Sequence, residues 1–444
     1  MKHLHIMGIG GTFMAGIALI ARDAGFQVTG SDGPLYPPMS TQLEQAGITV
    51  LPEPDWSADH FLVGNTLSRG HAWVEQLLRS GKPFSSAPAW LQAEIFPDRW
   101  VCAVSGTHGK TTTSSMLAHI LTECGLNPGY LIGGVPNNFN YSATLGTGKP
   151  FVIEADEYDT AYFDKRPKFL HWFPKTLIIN NIEYDHADIY PSLESIQRQF
   201  QYLIRAVPPE GCVITQTPDP NVEAVLAKGM WSQHIRIGLE EGPWQARLHT
   251  PCGQHFELIH QGKRLRDISW AMMGTHQIGN ALRALCAAEH VGADIETAVA
   301  ALETFKSVKR RLEYRGTAGD LAIWEDFAHH PTAIRETLNT LVNKLGEKPW
   351  VICELGTRSM QLGIYKDTLL PSCAQAAGVI WYVSQPLQWS LEDMLGGAKN
   401  HIIAHKLSEV IVQVQKQPMN QLLILSNKNA DAIIQALQSQ KITA

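Results

Sequence analysis

The sequence predicts an α/β protein of three domains, each a mostly parallel sheet with helices. Three observations carry that reading. At 444 residues the chain exceeds what one ordinary hydrophobic core organises. Short apolar runs alternate with stretches of helical period, the pattern of βα units. Glycine-rich or acidic segments follow several of those runs, and an open α/β sheet holds its ligands at the carboxyl ends of its strands.

Composition narrows the class. With 44% hydrophobic residues the chain has material for sizeable cores, and a formal net charge of -6 gives no generally basic surface, so nucleic acid is not an expected partner. The seven cysteines form no C-x-x-C pair and are odd in number, as in a reducing compartment. No apolar run reaches the length of a bilayer span, and the chain enters a strand directly from Met1, leaving no room for a signal peptide. The expectation is a cytoplasmic protein with no membrane partner.

The first domain is placed at residues 1–97. Here the pattern predicts a strand over 4–7, a glycine turn over 8–11, a helix over 14–24 and a strand over 26–30 that ends near Asp32. Gly8 and Gly10 fit the first two places of G-x-G-x-x-G, but Phe13 stands in the third, where close helix–sheet packing calls for glycine. Two readings stand: a Rossmann-like turn that seats a diphosphate with Asp32 near a ribose, or a plain strand-to-helix turn. A further strand over 61–64 runs into Asn65 and Thr66, and a helix follows over 71–79. Pro37-Pro38 and Glu53-Pro54 mark loops, and 95–99, with Pro97, reads as a linker.

The second domain, 98–305, opens on VCAVSGTHGKTTTSS, residues 101–115. A strand over 101–104 delivers a turn at Gly106, Thr107, His108 and Gly109. The helix after Lys110 then points its free N–H groups at an anion. Lys110 supplies a point charge for β/γ-phosphates, the Thr111 hydroxyl is a hard oxygen for Mg²⁺, and Thr112 continues the loop. Val104 replaces the first glycine of G-x-x-x-x-G-K-[ST], so the loop is a variant; the bland reading is a surface turn capping a helix. Gly133 to Asn138 is a candidate substrate loop. A strand over 151–153 ends in Glu154-Ala155-Asp156-Glu157, and Glu154 is assigned to Mg²⁺ over the alternative of a solvated acidic turn. A strand over 176–180 leads to Asn181-Ile182-Glu183-Tyr184-Asp185-His186, where Asp185-His186 can complete a metal site. A helix follows over 192–205. From 236 to 273 the alternation predicts an antiparallel addition to the sheet. In the helix starting near 276, His276 and Asn280 lie four apart, able to share an edge of adenine or simply to start a packed helix.

The third domain, 306–444, begins with Lys309, Arg310, Arg311 and Arg315 at a junction, where basic side chains are solvated or contact phosphates as domains close. A strand over 322–324 runs into Glu325-Asp326-Phe327-Ala328-His329-His330-Pro331, with a helix starting at 332. Strands over 350–353, 379–383 and 422–425 complete a small doubly wound unit.

In chain order, GTHGKTTT, EADE, NIEYDH, GTHQIGN, VKRRLE and DFAHHP resemble the Mur ligase family over most of the chain. The resemblance implies a Rossmann-like UDP-sugar domain, a P-loop ATPase domain and a Rossmann-like peptide-binding domain. It reassigns the first glycine turn: Gly8, Gly10, Gly11, Thr12, Phe13 and Met14, with Asp32 and Thr66, would hold a UDP-sugar rather than NAD. Gly106 to Thr112 would bind ATP phosphates; Thr111, Glu154 and His186 would hold Mg²⁺; His276 and Asn280 would sit at adenine; Arg311 and Asp326 would reach phosphate and ribose. Lys110, His186 and His330 would form the catalytic set. Within the family GIGGTFMAG, YPPMS, EADEYD and DFAHHPT are most similar to the branch that joins L-alanyl-γ-D-glutamyl-meso-diaminopimelate to UDP-N-acetylmuramate in peptidoglycan recycling. That implies an ADP-forming ligase working through an acyl phosphate.

Several relatives carry a carbamylated lysine after the metal histidine; this chain has no lysine from 187 to 227. Two segments depart from the branch's pattern: 355–361, where Arg358 is the candidate ligand for a peptide carboxylate, and 426–431. Both fall where the peptide is expected. The rival readings are the sister ligase that adds L-alanine alone, an NAD-dependent oxidoreductase, and a catalytically silent nucleotide-binding module.

Overall fold

The computed structural model describes residues 2–428 and 430–439. Five strands form the first sheet: β1 (His3–Met7), β2 (Gln27–Ser31), β3 (Thr49–Leu51), β4 (His60–Val63) and β5 (Phe84–Ser86). Their order is β3-β2-β1-β4-β5, parallel throughout, so the order reverses beside β1, above the Gly8 turn. That turn needs glycine: Gly8 has φ 81°, and a Cβ on Gly10 would lie 2.4 Å from Leu35 and 2.8 Å from the Asp32 carboxylate. The close helix packing expected at position 13 falls one turn later. Gly16 of the helix Thr12–Asp23 lets it approach Leu131 and Ala143 of the central unit, where a Cβ would lie 2.3 Å and 3.1 Å away. Phe13 is thereby free to face Trp172, with ring centroids 6.3 Å apart.

The central unit contributes β6 (Trp100–Ser105), β7 (Gly129–Leu131), β8 (Ala143–Thr144), β9 (Pro150–Ala155), the hairpin β10 (Asp159–Ala161) and β11 (Asp164–Pro167), β12 (Thr176–Ile179), β13 (Cys212–Gln216) and β14 (Gln233–Ile237). Seven of these make one sheet, β14-β13-β12-β6-β9-β7-β8, parallel apart from β8. Its register places Val104 and Ser105 beside Glu154 and Ala155 on one side, and Ser105 beside Ile179 on the other. The chain therefore leaves three adjacent strands at one level. The stretch 236–273 is not an addition to this sheet. Apart from the end of β14, it forms a separate antiparallel sheet of β15 (Trp244–Leu248), β16 (His255–His260) and β17 (Lys263–Ser269). Trp244, Phe256, Leu258 and Ile268 bury its inner face in the same core as the helix Thr275–Val291, so packing rather than edge hydrogen bonding attaches it.

The third unit holds β18 (Glu313–Ala318), β19 (Leu321–Asp326), β20 (Trp350–Glu354), β21 (Gly378–Tyr382), β22 (His401–Ala404) and β23 (Gln421–Leu425). They run in the order β18-β19-β23-β20-β21-β22, with only β18 antiparallel. The helix after β19 begins at Pro331 with His330 as its N-cap, accepting from the Thr332 N–H at 3.3 Å. Of the unusual stretch 426–431, Asn429 lies outside the described residues. Among the described residues no helix is long and apolar enough to cross a membrane.

Candidate active site

The loop after β6 is shaped by two glycines. Gly106 has φ 122°, and a Cβ there would lie 2.9 Å from both the backbone N and O of Asn181. At Gly109, φ 78°, a Cβ would meet the side chains of Asn180 at 2.8 Å and Asn280 at 2.9 Å. Residues beyond β12 hold the loop from the side: the His108 N–H donates to Asn181 Oδ1 at 2.8 Å, and Asn180 Nδ2 donates to the His108 carbonyl at 3.1 Å. No side chain caps the helix Lys110–Glu123, so its first N–H groups remain available to an anion at the cleft.

Lys110 lies at the centre of an acidic group. Its ammonium donates to the Gly106 carbonyl at 2.7 Å and to Glu157 Oε2 at 2.8 Å. Burial opposes its charge, but Glu157, Asp156 and Glu154 outweigh that and raise its pKa. Ligand atoms of Asp156, Glu157 and His186 lie within 4.8 Å of one another. Despite burial, Lys168 and Lys110 hold the Asp156 carboxyl down at about 2. Glu154 has different partners: it accepts from the Gly133 N–H at 2.7 Å and from the Thr111 hydroxyl at 3.3 Å. Burial raises its pKa.

A cleft of about 1040 Å³ runs from this group to the third unit. His276, on its wall, is held neutral by burial, with Arg283 and Arg311 adding to the effect, and its pKa falls to about 4; its buried Nδ1 has no hydrogen-bond partner. Asn280 sits beneath the loop, donating to Gln277 Oε1 at 3.0 Å and accepting from the Arg283 guanidinium at 2.8 Å. From the third unit come Arg311, over the Phe327 ring, and Asp326, which accepts the Leu312 and Ala328 N–H groups at 2.7 Å each. His330 Nδ1 is 3.3 Å from Glu183 Oε2, and His108 Nε2 is 3.7 Å from that same oxygen. Burial and the facing His108 push the His330 pKa well below the ordinary imidazole range, while the neighbouring His108 and the Thr332 hydroxyl hold Glu183 ionised against burial.

Two family models match this chain: the Mur ligase middle domain over residues 104–288, and the Mur ligase family, catalytic domain, over residues 3–95. A Haemophilus influenzae protein named UDP-N-acetylmuramate--L-alanyl-γ-D-glutamyl-meso-2,6-diaminoheptandioate ligase is 42% identical, with 98% of each chain covered. The chain belongs to the Mur ligase family. The protein of the same name from Escherichia coli is 43% identical over 98% of this chain and 97% of its own. A solved structure of a murein peptide ligase from Psychrobacter arcticus is 37% identical, covers 99% of both chains and has a TM-score of 0.75.

In this Mur ligase chain, Thr107 to Thr112, His186, His276, Asn280, Arg311, Asp326 and His330 line one cleft. Gly106 precedes them in the loop, its carbonyl accepting from the Lys110 ammonium. Three placements differ from the sequence expectation. The carboxylates within ligand reach of His186 are those of Asp156 and Glu157, while Glu154 joins Thr111. Asp185 does not join that group: its carboxylate accepts from Tyr365 at 2.7 Å and Ser359 at 2.9 Å, two buried hydroxyls of the third unit. Asn280 faces Gly109 and Arg283, with its amide groups already occupied.

Other predicted residues lie away from the cleft wall. Gly8 to Met14, Asp32 and Thr66 gather at the end of the first sheet. There the Asp32 carboxylate accepts the Gly10 N–H at 2.7 Å and the Gly33 N–H at 2.8 Å, and Thr66 Oγ1 is 3.8 Å from where a Gly8 Cβ would stand. Arg358 is exposed on the short helix Arg358–Gln361. Glu183, Arg283, Lys168, Ser359 and Tyr365 also reach the cleft region of the structure. Glu183 is visible as an acid in the polar run that follows the strand Thr176–Ile179, but Tyr365 and Ser359 carry no local signal.

Proposed function

We propose that this chain is an ATP-dependent ligase that forms an amide between UDP-N-acetylmuramate and L-alanyl-γ-D-glutamyl-meso-diaminopimelate, in peptidoglycan recycling. The observation that carries the reading is the meeting of the loop ammonium of Lys110 with Asp156, Glu157 and His186 at one end of the central sheet. The near full-length relatives named for this reaction support it, and family membership favours it over an oxidoreductase or a silent nucleotide-binding module. In this reading residues 1–97 bind the UDP-sugar through Gly8 to Met14, Asp32 and Thr66. Residues 98–305 bind ATP, and residues 306–444 bind the peptide, with Arg358 on its carboxylate. The location is cytoplasmic.

A carboxylate is a poor electrophile and needs activation before an amine can attack it. Lys110 and the open N–H groups of its helix bind the γ-phosphate and offset the charge that develops as the lactyl carboxylate attacks it. The His276 imidazole, neutral and with a free ring nitrogen, is suited to the edge of adenine, while Arg311 and Asp326 face phosphate and ribose across the cleft. The Thr111 hydroxyl, the carboxylates of Glu154, Asp156 and Glu157, and the His186 imidazole make a hard, oxygen-rich donor set that fits Mg²⁺. When bound, the ion supplies charge neutralisation at the phosphates. His330 lines the cleft with an uncharged imidazole and is the candidate for the base that accepts the amine proton; its lowered pKa works against that role, so the bound substrates would have to raise it.

Purified protein with ATP, Mg²⁺ and UDP-N-acetylmuramate is expected to release phosphate when the tripeptide is added and little with L-alanine. The opposite preference would overturn the tripeptide assignment. Release with neither would overturn the ligase reading.

A further inference from the structure

The hairpin β10–β11 ends at Pro167, and Lys168 follows it to open the short helical turn Lys168–His171. Its backbone N–H donates to the Tyr158 carbonyl at 3.0 Å, which ties the turn back to the acidic end of β9. The side chain runs inward and is only 9% exposed. Its ammonium lies 3.3 Å from Asp156 Oδ2, 5.5 Å from the Tyr158 ring centroid and 5.7 Å from that of Phe13. The two other basic residues of this stretch are spent at the surface, Lys165 on Asp159 at 2.6 Å and Arg166 on Asp164 at 2.7 Å. Lys168 is thus the one basic side chain that the hairpin sends inward, to the seam between the first and central units.

The position has a chemical meaning. Phe13 lies in the first turn of the helix after the first glycine turn, and Asp156 belongs to the group around Lys110. A carboxylate carried by a ligand seated on the glycine turn must cross this seam to reach a phosphate held by Lys110. Two anions brought together there repel each other unless a cation stands between them. An ammonium has three N–H donors, and Asp156 uses one, which leaves donors for an incoming carboxylate. The rings of Phe13 and Tyr158 shield the charge from water, which strengthens its electrostatic contacts.

We propose that Lys168 binds the lactyl carboxylate of UDP-N-acetylmuramate and selects a muramyl over a glucosaminyl nucleotide. The inference rests on the ligase reading and deepens it. In the activating step a carboxylate oxygen forms a bond to the γ-phosphorus of ATP. The bond from that phosphorus to the β,γ-bridging oxygen breaks, and ADP leaves with the electron pair. Lys168 keeps its protons throughout and acts by position and charge.

The test compares two ligands that differ in the lactyl group alone. UDP-N-acetylmuramate and UDP-N-acetylglucosamine are titrated calorimetrically, without ATP, into the wild type, Lys168→Met and Lys168→Arg. Lys168→Met is expected to weaken the muramyl nucleotide by about 10- to 100-fold and to leave the glucosaminyl nucleotide within about twofold, as loss of one charged hydrogen-bond donor implies. Lys168→Arg is expected to keep part of the preference. The unchanged glucosaminyl affinity reports that the site is folded. Equal losses for both nucleotides, or no loss for either, would overturn the assignment. Failure of the wild type to bind either nucleotide would instead overturn the UDP-sugar reading on which it rests.

Discussion

Lys110→Met is expected to lower the rate of ATP-dependent phosphate release by about 10³-fold or more at saturating substrates, the scale on which removal of a positioned charge from a developing oxyanion is felt. The side chain has two jobs in the structure, and the experiment has to separate them. One is chemical: the ammonium stands where the helix Lys110–Glu123 opens toward the cleft. The other is structural, because Glu157 is buried and Lys110 is its partner at 2.8 Å. Breaking a buried ion pair from one side costs about 3–5 kcal/mol, most of it from the charge left behind. Lys110→Met/Glu157→Gln removes both charges, so urea denaturation is expected to show part of that stability returning. Phosphate release should not return with it. If the double variant recovered turnover along with stability, Lys110 would be a structural residue and the phosphate-binding role would be lost.

Much of the fold and part of this site were legible because they are written locally. A strand, a glycine with positive φ and a helix that starts on lysine are contiguous features, so Gly106 to Thr112 could be read as an anion loop without a partner strand in view. The acidic run after β9 was legible as a ligand group, but not which carboxylate does what. Glu154 and Asp156 differ by two residues in sequence. Glu154 is still within β9, where it meets Gly133 and Thr111, while Asp156 lies just past the strand end and turns toward His186. The stretch 236–273 was read correctly as antiparallel and wrongly as part of the main sheet. Alternation reports which face is buried, and a separate sheet packed on a helix buries its face as well as an added edge strand would. Contacts across a seam leave no mark in sequence. Lys168 meets Phe13 across 155 positions and Asp185 meets Tyr365 across 180, and nothing near either residue announces the other.

That last pair sets the second large effect. Asp185 is buried, and its carboxylate takes hydroxyls from Tyr365 and Ser359 of the third unit, while its own chain places His186 next to it in the candidate metal-binding group with Asp156 and Glu157. Burial alone would favour the protonated acid; His186, the Tyr365 hydrogen bond and His329 outweigh it and hold the carboxyl well below its usual range. The ionised carboxylate is therefore the form that clamps the third unit against the strand end carrying His186, with the Thr332 hydroxyl on Glu183 at 2.7 Å as a second tie nearby. Asp185→Ala leaves two buried hydroxyls without that acceptor, at about 1–3 kcal/mol each. It is also expected to lower kcat/KM for the tripeptide by about 10²-fold, the cost of a misplacement on the order of 1 Å between reacting groups. Binding of a non-hydrolysable ATP analogue, which in the proposed function rests chiefly on the loop at Gly106 to Thr112, should change far less. Tyr365→Phe removes one partner and leaves the carboxylate, so its effect should be smaller. Combined with Asp185→Asn it should add less than the sum of the two single losses, since both act on one hydrogen bond. Strict additivity of the two substitutions in kcat/KM, or an equal loss of analogue binding, would show that this contact does not couple the units.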